Sequence, residues 1–252
     1  MLRAVARGAF RSLNAALRPA GVQIVRSRPR EYEDYKDFIP FEKTIAAARE
    51  KGVSVGDYVD AEHNQAGATQ QHFDRLREMG AVHAGIRRVC EIGPGSGRYL
   101  ERVIGACHPE RYEIYETAED WKSYLVGAYS VVAQPTDGTS LAATASGSID
   151  LVHAHKVFPG VPFLVTCRYL NEMARVAAPG GKVVFDIVTE RCMDEATVER
   201  WLETGAGYQY YPNMMPRQYV VDLFARLGFA TDGSVMVPMR PGVTECMVFT
   251  RT

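Results

Sequence analysis

Between Arg88 and Arg98 a short apolar run, Val89-Cys90-Glu91-Ile92, gives way to Gly93-Pro94-Gly95-Ser96-Gly97 and then to a helical stretch over 98–106. A strand that hands over to a helix through three glycines restricts the fold sharply. Glycine is placed where the backbone must take a positive φ or let a ligand approach closely. The same rhythm continues downstream. Strands are expected at 112–115, 129–133, 149–154 and 182–188, with helices through Trp121, Tyr124 and Leu125 and over 163–176, and a sharp turn at 178–181. Strands alternating with helices of this length predict a parallel sheet covered on both faces. A last helix at 217–227, then strands at about 229–238 and 243–250 joined through Pro241-Gly242, add an antiparallel hairpin. The expected fold is α/β: a doubly wound, mostly parallel seven-stranded sheet with helices on both faces, a C-terminal antiparallel hairpin and an N-terminal helical extension.

The 252 residues, 46% hydrophobic and 23% charged, suffice for one large domain with an appendage. No run approaches the ~18 apolar residues of a membrane span. The five cysteines, at 90, 107, 167, 192 and 246, are scattered without a C-x-x-C pair. Neither a disulfide framework nor a zinc site is expected, and a cytoplasmic setting fits best. Charge divides the chain. Residues 1–30 hold seven arginines and no acid, leaving 22 basic against 30 acidic groups in the remainder. Three segments follow: a basic amphipathic stretch 1–30, a helical cap or linker 31–85, and a catalytic domain 86–252. Over 2–18, Leu2, Val5, Ala9, Phe10, Leu13 and Leu17 share one helical face and Arg3, Arg7, Arg11 and Arg18 another. Such a segment is a terminal helix packed on or beside the domain, a peripheral contact with an anionic inner-membrane surface, or a targeting peptide. In the cap, helices are expected at 41–50 and 69–79, with an irregular polar stretch 53–68 between them. The acidic remainder carries no basic stripe with interleaved aromatics, so a nucleic-acid partner is not expected.

The spacing of the glycines defines the ligand. Dinucleotide binding calls for G-x-G-x-x-G, and the third such position here is Arg98. Pro94 lacks an N–H, which weakens the loop as a phosphate cradle. A carboxylate at Glu91 would repel a pyrophosphate and suit a ligand with a cationic ammonium. Glu116, ending the second strand, can take both hydroxyls of an unphosphorylated ribose. The loop reads as a site for a nucleoside that carries positive charge.

In this respect Glu91-Ile92-Gly93-Pro94-Gly95-Ser96-Gly97 resembles the first motif of the class I S-adenosylmethionine-dependent methyltransferases. Ser148-Ile149-Asp150-Leu151-Val152 resembles their fourth-strand signature, and the stretch from Glu172 to Gly181 is similar to their helix and turn before strand five. The resemblance covers about residues 86–250. It implies S-adenosyl-L-methionine as cofactor, held by Glu91, Gly93, Pro94, Gly95 and Gly97, by Glu116 and Thr117 at the ribose, and by Asp137 and Gly138 at the adenine.

Methyl transfer from a sulfonium is an in-line displacement, and a hydroxyl acceptor must also lose a proton. His153-Ala154-His155-Lys156 ends strand four, beside the expected cofactor. His155 is the candidate general base and His153 its auxiliary, histidine being the side chain that titrates near neutral pH. Tyr208, Tyr210 and Tyr211, in a loop after strand five, and Asp186 at that strand's end are candidate acceptor contacts. Tyr58, His63 and Gln70 of the cap are candidates for closing the site from the other side. Asp186, Glu190 and Asp194 lack a metal-ligand spacing, so no metal is expected. The function expected is O-methylation of a small-molecule, glycan or lipid-linked acceptor. The alternatives are N-methylation of a small molecule, or a membrane-associated binding module of this fold without turnover.

Overall fold

The computed structural model describes residues 39–203, 213–240 and 242–252, with Leu17 and Pro19 as isolated positions. All but those two fall within one compact unit, Tyr35–Thr252. The rest of the basic segment 1–30 and the tyrosines at 208, 210 and 211 lie outside the described residues.

Three helices precede the sheet: α1 (Phe41–Lys51), α2 (Val55–His63) and α3 (Ala68–Glu78). Then come β1 (Arg88–Ile92), α4 (Arg98–Cys107), β2 (Arg111–Tyr115), α5 (Glu119–Ala128), β3 (Val132–Ala133) and β4 (Ile149–Ala154). The chain continues with α6 (Phe163–Val176), β5 (Ala177–Ile187), α7 (Glu195–Glu203), α8 (Arg217–Arg226), β6 (Phe229–Met239) and β7 (Gly242–Arg251). The seven strands form one sheet in the order β3-β2-β1-β4-β5-β7-β6. The first five run parallel, and β7 is antiparallel to both β5 and β6. The doubly wound sheet and its reversed C-terminal hairpin are as the sequence predicts. No helix of the described residues is long and apolar enough to cross a membrane.

Both faces of the central strands are buried, as a parallel sheet requires. On one face α6 and α8 cover Cys90, Ile92, Val152, Ala154, Val183, Phe185 and Phe249. Rings stack there, Phe224 on Phe249 at 4.2 Å between centroids and Phe185 on Phe249 at 5.7 Å. On the other face Phe73 and Leu76 of α3 and Leu100 and Val103 of α4 cover Val89, Leu151, Val184, Cys246 and Val248. The cap thus contributes to the core of the sheet.

The structure departs from the expectation in four places. The stretch read as irregular contains α2, whose first turn is capped by Ser54 accepting from the Asp57 amide at 3.1 Å. Glycine is a poor helix former, yet Gly56 lies inside this helix. It is there because α2 and α4 cross tightly: a Cβ at Gly56 would stand 2.9 Å from Cβ of Arg98. Strand β3, at the sheet edge, is two residues long, Val132–Ala133, where the sequence predicts 129–133. The stretch 178–181, read as a turn, lies within β5, which starts at Ala177, and α7 fills part of the region after that strand.

Candidate active site

The glycine loop occupies the C-terminal edge of the sheet, between β1 and α4. Gly93, at φ 61°, donates its amide to the Tyr115 carbonyl at 2.9 Å. A Cβ there would meet Val157 at 2.7 Å, so the loop presses against the segment leaving β4. Gly95, at φ 51°, has nothing within 4 Å of the corresponding position and opens on free space. Gly97 is the N-cap of α4. Pro94 accepts the Gly97 amide through its carbonyl.

Glu116 follows β2 and is only 6% exposed. One carboxylate oxygen accepts the Gly95 amide at 2.9 Å and the other the Ala118 amide at 2.8 Å. Burial pushes its pKa up, against the pull of these N–H groups. The loop and the acid are therefore one hydrogen-bonded unit. Each oxygen keeps a second lone pair for a ligand hydroxyl. Thr117 lies beside the loop after β3, with its methyl 3.8 Å from where a Gly138 Cβ would be. Asp137 in that loop is exposed and caps its own turn, accepting from the amides of Thr139 and Ser140, both at 2.8 Å, and from the Ser140 hydroxyl. A nucleoside fits this set: open space over Gly95, a fixed carboxylate at Glu116, and a loop with no amide at Pro94 to hold a phosphate.

Glu91 departs from its expected role. Its side chain turns into the sheet–α4 interface, 2% exposed, where Tyr112 donates to it at 2.7 Å. Burial raises its pKa to about 8, which favours the uncharged form at neutral pH and works against the expected role of a carboxylate facing a ligand ammonium. The Tyr112 hydroxyl also meets Nε2 of His153 at 2.9 Å. His153 is fully buried and pushed down to about 3, so the 3.8 Å approach of its Nδ1 to Glu91 joins two neutral groups.

His155 keeps 8% of its surface. Its ring stacks on Tyr99 at 3.8 Å and meets His72 of α3 edge-on at 5.3 Å. Burial first, then the neighbouring histidines, hold its pKa well below the ordinary range. His72 is pushed down to about 4 by burial, and its Nδ1 bonds the Tyr99 hydroxyl at 2.9 Å. Lys156 follows at φ 61°, a strained position for a side-chain-bearing residue. Its amide donates to Asp186, and its ammonium reaches Thr244 at 2.6 Å and Asp186 at 3.2 Å. Burial works to raise the Asp186 carboxyl, but the Lys156 charge and the Thr244 hydroxyl outweigh it and hold it low.

Asp186, fully buried, is thus committed to an internal ion pair rather than facing an acceptor. Glu190 accepts the Arg217 amide and Asp194 caps α7 at Thr197, so the three acids of this region do not converge. Among the cap candidates, His63 and Gln70 are exposed, and Tyr58 lies under the Lys51 ammonium at 5.0 Å. Different cap residues reach the site. His72 shares its helix face with Thr69, Phe73 and Leu76, a 3–4 spacing visible in the sequence. Asp60 is 2% exposed and accepts from Arg98 at 2.8 Å and from the amide and hydroxyl of Thr69. Arg98 at the third-glycine position is therefore the anchor of the cap. The Asn213 amide donates to the Pro159 carbonyl at 2.7 Å and the Met215 amide to that of Val188 at 2.8 Å.

A methyltransferase-domain family model matches residues 26–232. The chain belongs to that family, and it is an S-adenosylmethionine-dependent methyltransferase. Its architecture is shared with the magnesium protoporphyrin IX methyltransferase of Synechocystis PCC 6803 with bound S-adenosylhomocysteine, at 14% identity, covering 88% of this chain and 92% of that one, TM-score 0.56. An O-methyltransferase family protein from Burkholderia thailandensis aligns at 16% identity over 85% of this chain and 64% of its own, TM-score 0.57. An N-methyltransferase from Bradyrhizobium japonicum WM9 aligns at 13% over 74% and 98%, TM-score 0.50. At such identities the likeness is one of fold. No curated protein matches the sequence.

Proposed function

We propose that the protein O-methylates a small hydroxylated acceptor, free or carried on a glycan or lipid, with His155 receiving the acceptor proton. The observation that carries this reading is the placement of His155 two residues before Val157, the side chain against which Gly93 of the cofactor loop is pressed. Bound S-adenosylmethionine supplies the electrophilic methyl. Gly93, Gly95 and Gly97 would shape its seat, Glu116 and Thr117 would take the ribose, and the Asp137-Gly138 turn would edge the adenine. His155 is unprotonated across the neutral range, the state a proton acceptor needs, at some loss of driving force. Its stack on Tyr99 fixes the ring plane. The cap, bolted to α4 through Asp60 and Arg98, would keep water from the reacting centre. Tyr208, Tyr210 and Tyr211 would supply flat faces and hydroxyls to the acceptor.

The test is S-adenosylhomocysteine release with matched panels of hydroxyl and amine acceptors, using wild type and His155→Ala. Turnover on hydroxyls that His155→Ala lowers by two orders of magnitude or so supports the reading. Turnover on amines that is indifferent to His155 replaces it with N-methylation. Cofactor binding without turnover on any acceptor replaces it with a binding module. We further propose that the seven arginines of residues 1–30 place the enzyme at anionic lipid. Flotation with phosphatidylglycerol vesicles should recover the full chain and not a version lacking residues 1–28; equal recovery of both removes this part.

A further inference from the structure

Three buried side chains from distant parts of the chain converge behind the candidate base: His72 from α3, His155 from the end of β4 and Cys246 from β7. A ring nitrogen of each histidine and Sγ of Cys246 all lie within 4.8 Å of one another, the one such group of metal-ligand type among the described residues. Independently, both rings carry a buried nitrogen with no hydrogen-bond partner, Nε2 of His72 and Nδ1 of His155. Buried polar atoms are nearly always satisfied, so two orphans in one cluster ask for a ligand. His72 is oriented for the part, because its other nitrogen is engaged by the Tyr99 hydroxyl at 2.9 Å. Charge near the cluster is balanced, with the Lys156 ammonium and the Asp186 carboxylate paired at 3.2 Å.

From this we infer that His72, His155 and Cys246 form a site for a zinc-class divalent cation, one that inhibits methyl transfer by occupying the base. Two imidazoles and a thiolate are the ligands of a borderline-soft metal, and bonds of about 2.0–2.3 Å require contraction of the cluster by roughly 1 Å. On binding, each histidine gives a lone pair, Cys246 forms an Sγ–metal bond and releases its thiol proton to solvent, and the hexahydrated ion sheds five of its six waters. A fourth position remains for water. The inhibitory part rests on His155 being the base proposed above; the binding part does not.

The experiment is a Zn²⁺ titration of the reduced full-length protein, by calorimetry and by competition with a chromophoric chelator, alongside His72→Gln and Cys246→Ser. Expected are one tight ion per wild-type chain and at least a tenfold weaker affinity in each variant. Co²⁺ as second probe should give a thiolate-to-metal charge-transfer band that Cys246→Ser abolishes. Circular dichroism and the metal-free melting temperature report whether the variants fold, and the cobalt band in wild type stands whatever they do. Cys246→Ser should retain basal methyl transfer and resist zinc. Absence of stoichiometric binding or of the cobalt band, unchanged affinity in both variants, or loss in only one of them overturns the three-ligand site. If zinc binds as expected but leaves methyl transfer untouched, the site stands and its inhibitory role, with His155 as base, falls.

Discussion

Arg98, in the first turn of α4, reaches back to Asp60 on α2, Nη1 to Oδ1 at 2.8 Å, with the two side chains 13% and 2% exposed. Thr69 at the start of α3 donates twice to the same carboxylate, so this one acid joins α2 and α3 to the end of the cofactor loop. Breaking such a buried pair from one side strands a charge and costs about 3–5 kcal/mol. Asp60→Ala should therefore lower the thermal midpoint steeply, whereas Asp57→Ala, whose carboxylate is 60% exposed in its contact with Arg102, should change it little. Equal melting of the two variants would show that the cap is held by apolar packing alone.

The ring stack under α8 carries a comparable share of stability. Phe224 is fully buried and touches Phe185, Phe229 and Phe249, with centroids 4.2–5.5 Å away. Phe224→Ala should destabilise by about 3–5 kcal/mol, and Phe224→Leu by clearly less, measured by urea unfolding. A loss below 1 kcal/mol in Phe224→Ala would mean that the neighbouring rings collapse into the gap.

Stability should peak near pH 6.5, for reasons of opposite sign. His72 and His153 have folded pKa values lowered from 6.5 to about 4 and about 3, so the unfolded chain takes up protons first and stability is lost as pH falls below 6.5. Glu91 is raised from 4.5 to about 8, so its stabilising contribution is complete below 4.5 and is lost as pH rises toward 8. Above 6.5 the unfolded histidines give up their remaining protons, so their opposing slope fades over about one pH unit. Beyond that the Glu91 slope remains, at no more than about 1.4 kcal/mol per pH unit. Glu91→Gln should flatten the decline between pH 6.5 and 8, as read by denaturant melts across that range. A decline of the same steepness in the variant would place its origin elsewhere.

How far the sequence reveals this molecule depends on the range of the contacts involved. The strand–glycine–helix unit at 88–98, the following βα repeats and the C-terminal hairpin are local patterns, and the structure reproduces them. Helix α2 is hidden because its Gly56 answers a helix crossing with Arg98, some 40 residues away in the chain. The acid at Glu91 is legible as a motif but not as a neutral group, because its burial depends on Tyr112 and His153 from other strands. The meeting of His72 and Cys246 at His155 joins three elements separated by up to 174 positions, and scattered cysteines give no hint of it. Arg98 is visible as a departure from a dinucleotide motif, while its partner Asp60 is not.

For His155 the expected effect falls on turnover rather than on binding. His155→Ala should reduce kcat on a hydroxyl acceptor by about 10²–10⁴-fold while leaving cofactor affinity within a few-fold of wild type. Parallel loss of cofactor affinity would make it a structural residue of the crevice.

The seat of the cofactor is tested most directly by titrating S-adenosylhomocysteine into wild type and Glu116→Ala, with the melting temperature of each measured without ligand. Glu116 holds the Gly95 and Ala118 amides and is the acid assigned to the ribose. Wild type should bind one equivalent, and the variant, still folded, should bind at least tenfold more weakly. Equal affinity in a folded Glu116→Ala protein, or no binding by wild type, would contradict the account.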